Sequence, residues 1–140
     1  MALKTQGEKP GVFALTVDEL RERKRAVTHL ICEAETKADE LRRQADMYRE
    51  AAGKLGVNLA RAEDQAQEAA ARGDQKTAAD LQAVAGEIRG PFEKNSQLAE
   101  ERSHLADERQ QEVDRQKGVL AKIEALIQSR QETVALGDRT

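Results

Sequence analysis

Apolar residues recur every seven positions through most of the chain, and a repeat of that period leaves few folds open. In the first half, Leu20, Val27, Ala34, Leu41, Tyr48, Leu55, Ala62 and Ala69 form one row. Lys24, Ile31, Ala38, Ala45, Ala52, Leu59, Ala66 and Gly73 form a second row, four residues on. Fifteen of these sixteen positions are apolar or glycine. Rows alternating by four and three have a period of 3.5 residues, that of a helix packing along a coiled-coil seam. The many alanines imply close helix approach rather than a thick core.

The second half repeats the pattern. Ala78, Ala85, Phe92, Ala99, Ala106, Val113, Leu120, Ile127 and Val134 are all apolar. Beside them run Leu81, Ile88, Asn95, Arg102, Arg109, Gln116 and Ile123, apolar at both ends and polar in the middle. A third set, Val84, Leu98, Leu105, Val119 and Leu126, widens the stripe beyond what one partner helix needs.

Between the halves stands Arg72-Gly73-Asp74. Glycine ends helices, because only glycine takes a left-handed conformation without strain; aspartate caps the next helix by accepting free N–H groups. The chain is therefore expected to be all-α, a long antiparallel helical hairpin turning near Gly73. Folding there pairs residues whose numbers add to 147, such as Leu20 with Ile127, Val27 with Leu120 and Leu55 with Phe92. Apolar then meets apolar at most levels. Ala45 faces Arg102 and Ala52 faces Asn95, each alanine leaving room for a long polar side chain to snorkel out.

The boundaries follow from local signals. Thr16 with Glu19 makes a capping box, and Leu15 with Leu20 a hydrophobic staple. Residues 1–15, with Gly7, Pro10 and Gly11, are expected to form a flexible arm in which Val12, Phe13 and Leu15 dock locally or on a partner. The hairpin spans 16–136, with helix one at about 16–72 and helix two at about 74–136. Residues 137–140 form a disordered tail.

Gly53 and Gly56 weaken helix one, and Gly90-Pro91 is expected to kink or break helix two. The seven-residue phase crosses both places without slipping. The pairing rule sets Pro91 opposite Gly56, so the reading is a joint hinge at Gly53, Gly56, Gly90 and Pro91. The alternative is a compact four-helix bundle with loops there. An elongated hairpin is the preferred shape.

Composition supports long solvated helices: 35% of residues are charged and 2% aromatic. Net charge is −3, with both signs interspersed, so neither a nucleic-acid partner nor a DNA mimic is expected. The densest basic run, Arg21, Arg23, Lys24 and Arg25, is broken by Glu22 and reads as a solvated face. A single cysteine, Cys32, precludes an internal disulfide, and no run approaches the roughly 18 apolar residues that span a membrane. A cytoplasmic location is expected.

No catalytic motif stands out. Glu101 and His104 have the Glu-x-x-His spacing of di-iron helical bundles, but both fall on an outer face and the motif occurs once. His29 is also outward, and its pairing level is residue 118, away from His104. No metal site, cofactor or small-molecule substrate is expected, and the chain is read as not an enzyme. A metal-dependent bundle enzyme is the more distant rival.

The turn segment Ala69-Ala70-Ala71-Arg72-Gly73-Asp74, continued by Ala78-Ala79-Asp80-Leu81, is similar to the hairpin tip of the phage-shock-protein-A family. Those ESCRT-III-like proteins carry a long helical hairpin that polymerises on membranes. The resemblance covers about a dozen residues. It implies a membrane-associated scaffold, although residues 1–15 lack the amphipathic helix that precedes the hairpin in that family. The leading expectation is a coiled-coil interaction or assembly protein. Its stripe at Val84, Leu98, Leu105, Val119 and Leu126 would bind a protein partner or a second copy in a homo-oligomer.

Overall fold

The computed structural model describes residues 15–138, with side chains through 134. Two helices make up nearly all of it: α1 spans Val17–Ala71 and α2 spans Gln75–Asp138. They pack against each other as a hairpin, and no strand occurs among the described residues. Apart from Leu15, the expected arm lies outside those residues. The expected tail does not begin at 137: α2 runs on through Asp138, and 139–140 lie outside the description.

The start of α1 is the predicted one. Thr16 N–H donates to Glu19 Oε1 and Glu19 N–H to Thr16 Oγ1, both at 3.2 Å. Two amides that helix geometry leaves without partners are thereby satisfied reciprocally. Leu15 is buried and joins Leu20 in the same apolar cluster, as the expected staple requires.

The turn is built from two overlapping caps. Gly73 has φ of 82°, the left-handed region that other residues enter only with strain. Its N–H reaches the Ala70 carbonyl at 3.0 Å, and Asp74 N–H reaches that of Ala69 at 2.9 Å. That is the Schellman arrangement, which satisfies the last carbonyls of α1. Asp74 then opens α2: its Oδ1 accepts the Thr77 N–H at 3.2 Å and its Oδ2 the Thr77 hydroxyl at 2.7 Å. These bonds from Thr77 hold the Asp74 carboxyl below its ordinary pKa, with help from the Arg72 charge.

The hairpin divides into two compact units, each containing a stretch of both helices. The terminal unit comprises residues up to 36 and from 109 on, and the turn unit is 37–108. Their cores differ in kind. In the terminal unit Leu15, Leu20, Val27, Ile31, Ala34, Val113 and Ile123 form one buried cluster, with Leu120, Leu126 and Ile127 packed on it. The buried residues of the turn unit are, apart from Leu41, all alanines, among them Ala38, Ala45, Ala52, Ala66, Ala85, Ala99 and Ala106. Branched side chains supply burial in the first; small side chains admit close backbone approach in the second.

The loops of a compact four-helix bundle are absent. Helix continues through Gly53–Gly56 and through Gly90-Pro91. At Pro91 the missing N–H removes one helical bond. The usual penalty on the preceding residue is largely a clash with its Cβ, and Gly90 has none. Asn95 adds a bond, its Nδ2 donating to the Pro91 carbonyl at 2.8 Å. Buried or half-buried seam residues on both sides, Ile88, Phe92 and Ala99, hold the helix in register.

Gly56 has a role that helix propensity alone does not reveal. A Cβ on Gly56 would lie 3.1 Å from Phe92 Cε2 and within 3.8 Å of two further ring atoms. The glycine is the seat of the Phe92 ring. Added Cβ atoms on Gly53, Gly86 and Gly90 would meet nothing within 4 Å.

Candidate interaction surface

The seam rows leave two flanks on the hairpin. We letter the heptad of α1 so that the Leu20 row is d and the Ile31 row is a. On α2 the Ala85 row is a and the Ile88 row is d. In an antiparallel pair, e then faces e along one flank and g faces g along the other.

The e flank is polar in both units. In the turn unit Arg89 Nη2 sits 2.9 Å from Glu63 Oε1, beside half-buried Ser96 and Ser103. In the terminal unit Lys117 Nζ lies 3.6 Å from Glu35 Oε1, and Glu124 on the same flank lies 3.9 Å from Lys24 Nζ. These bridges are exposed and long-armed, so they set register more than stability.

The g flank is apolar on α2, whereas on α1 it carries Lys37, Gln44, Asn58 and Gln65 beside Ala51. In the turn unit it carries Val84, Leu98 and Leu105 from α2 and Ala51 from α1. Val84 is 45% exposed, while Leu98, Leu105 and Ala51 are half-buried. Next to them, at a c position of α1, Met47 is 69% exposed, the most of any large apolar side chain among those described. In the terminal unit the g flank carries Val119, Leu126 and, from α1, Leu30. Leu126 also packs on the terminal core; Leu30 and Val119 are exposed. All five residues of the expected stripe therefore occupy one lettered row, and none is fully buried. Leu30, Ala51 and Met47 were missed by reading α2 alone. Lettering both helices from one seam would have put Leu30 and Ala51 on the g flank and Met47 at the c position beside it.

Glu112 interrupts the row between Leu105 and Val119. A hydrogen bond from Gln116 Nε2 at 3.1 Å, and next the Arg115 charge against it, hold its carboxyl below the ordinary range.

The polar seam residue Arg102 behaves as the pairing rule predicts only in part. Its Nη1 reaches outward to within 3.9 Å of Glu101, but its Nε is buried with no hydrogen-bond partner. The alanine opposite, Ala45, is buried.

The Glu-x-x-His pair does not converge on a shared site. His104 Nε2 lies 3.1 Å from Glu108, and Glu101 pairs with Arg102. His29 pairs with Glu33 at 3.0 Å. Among the described residues, no three His, Cys, Asp or Glu side chains come together as metal ligands. Cys32 is exposed. The four expected hinge positions all lie in the turn unit, and the contact of Gly56 with the Phe92 ring brings the two weakened stretches to one level. Among the described residues, no helix is long and apolar enough to cross a membrane. No protein-family model, curated protein or solved structure matches the chain.

Proposed function

We propose that this protein is a non-enzymatic helical hairpin that binds another protein chain through the apolar flank of α2. The observation that carries the reading is the asymmetry of the hairpin. One flank is closed by ion pairs such as Glu63–Arg89, and the other presents Val84, Leu98 and Leu105 incompletely covered. Burying a leucine or valine side chain fully is worth roughly 1.5–3 kcal/mol, so a partner covering this row gains affinity at each position. An alternating helical face of this kind is the usual ground for bundle formation.

The test is replacement of Leu98 and Leu105 together by Glu. Both lie on the outer flank, so the variant should keep its helical circular dichroism while losing its associated species in sedimentation and its protein partner in a pull-down. A wild-type chain that is monomeric and captures nothing dependent on this face would refute the proposal.

A further inference from the structure

We infer that the partner on this flank is a second copy of the same chain, packed antiparallel across a two-fold axis that passes between Leu98 and Leu105. The inference rests on the proposed role of the flank and adds the identity and direction of the partner.

The argument is charge symmetry about one level. The pairing sum of 147, which the approach of the Phe92 ring to Gly56 meets to within one residue, places Met47 level with Glu100 and Glu101. Along the outer edge of α1 beside the flank, at the c positions, stand Glu40, Met47 and Lys54. Reversing this row about Met47 lays Glu40 on Lys54 of the second copy and Lys54 on its Glu40. Along the corresponding edge of α2 stand Lys94, Glu101 and Glu108. Reversing that row about Glu101 lays Lys94 on Glu108, again with opposite signs. Between the edges, the α2 row reverses with Leu98 on Leu105 and Leu105 on Leu98, and the α1 row with Gln44 on Ala51 and Lys37 on Asn58.

Two helices thus point separately to the same centre. A parallel two-fold pairing, which sets α1 against α2 at equal heights, would instead bring Lys54 to Lys94 and Glu40 to Glu108. Like charges directly opposed disfavour that arrangement. Met47 has a place in the antiparallel dimer, where it meets its own copy on the axis. The one like-charged meeting is Glu101 with Glu101, also on the axis.

The rim residues already have local partners: Lys54 lies 3.5 Å from Glu50, Glu40 3.6 Å from Lys37 and Glu108 3.1 Å from His104. Such exposed pairs are weak and exchangeable, so the rim selects direction while the leucines supply affinity.

The test uses the full chain with Cys32→Ser, sedimentation for mass, and oxidative crosslinking. Wild type should sediment at twice 15.5 kDa. Lys54→Glu should weaken the dimer about tenfold, because two-fold symmetry counts each lost pair twice. Adding Glu40→Lys to it should restore the affinity. Met47→Cys should crosslink to itself, and Glu40→Cys should crosslink to Lys54→Cys in a mixture and to neither partner alone. If the dimer forms and needs Leu98 and Leu105 but shows none of these crosslinks, the antiparallel arrangement is overturned. If the chain is monomeric yet binds a different protein through Leu98 and Leu105, the second-copy inference falls while the function of the flank stands. If association survives Glu at both leucines, both readings fall.

Discussion

Glycine-to-alanine substitution separates the two roles that glycine plays in the turn unit. In a helix interior alanine is favoured over glycine by about 1 kcal/mol, because glycine loses more backbone freedom on folding. Gly53 and Gly86 have open space where a Cβ would go. Each substitution there should stabilise the protein by about 0.5–1 kcal/mol. Gly56→Ala should not. Its methyl group would stand 3.1 Å from Phe92 Cε2, with Cδ2 at 3.7 Å and Cζ at 3.8 Å, so the ring rather than one flexible atom must move. Forcing a methyl group into a packed contact costs about 1–3 kcal/mol, which exceeds the gain in propensity. The net expectation is a loss of about 1 kcal/mol. Replacing Phe92 by Leu removes the obstructing ring edge, and in that background Gly56→Ala should become stabilising. Urea unfolding followed by far-UV circular dichroism gives all four corners of the cycle, with a coupling of about 1–2 kcal/mol between positions 56 and 92. If Gly56→Ala stabilises as much as Gly53→Ala, Gly56 is not the seat of the ring. Gly90→Ala should gain less than Gly53→Ala, since a Cβ before proline opposes the helical conformation.

Three further outcomes are expected. Arg102→Leu should raise stability by about 1 kcal/mol in the same urea assay, because it removes a buried donor without a partner; a loss would show that the arginine stem is irreplaceable in the seam. Asp74→Ala should lower the thermal midpoint at neutral pH. The folded carboxyl titrates below its ordinary value of 3.8, so its contribution is present above that value and fades as pH falls through the lowered one. Variant and wild type should therefore converge in strong acid, and a gap independent of pH would exclude the carboxylate as the cap. In hydrogen exchange, amides at 53–57 and 88–94 should exchange faster than those at 27–48 and 105–127. Uniform protection through Gly56 and Pro91 would eliminate a hinge at Gly53, Gly56, Gly90 and Pro91.

The two-helix hairpin, its turn and its caps were legible in the residues alone. A seven-residue period is a property of each helix by itself, and it survives without knowledge of the partner. Thr16 with Glu19, and Gly73 with Asp74, act within a few residues of each other, so their hydrogen bonds are written in local sequence. The pairing rule then follows from the turn by counting. It set Gly56 opposite Pro91 and Leu55 opposite Phe92, one residue from the contact of the Phe92 ring with Gly56.

Tertiary packing decided the rest. Propensity marks Gly53, Gly56, Gly90 and Pro91 alike as helix breakers, yet the helices pass through all four, because seam contacts on both sides outweigh a local penalty. Whether a glycine is a weak point or a socket depends on what stands opposite, and only the Phe92 ring distinguishes Gly56 from Gly53. The division into two units was not readable, since it depends on which seam residues touch. Nor was the buried Nε of Arg102, since a rotamer decides how much of a snorkelling side chain leaves the core. The exposure of Met47 is likewise a tertiary fact, since it depends on what the neighbouring helix covers. Period and caps are interactions of a chain with itself over a few residues, and sequence determines them. Contacts between residues far apart in the chain are chosen by shape, and shape exists only once both helices are in place.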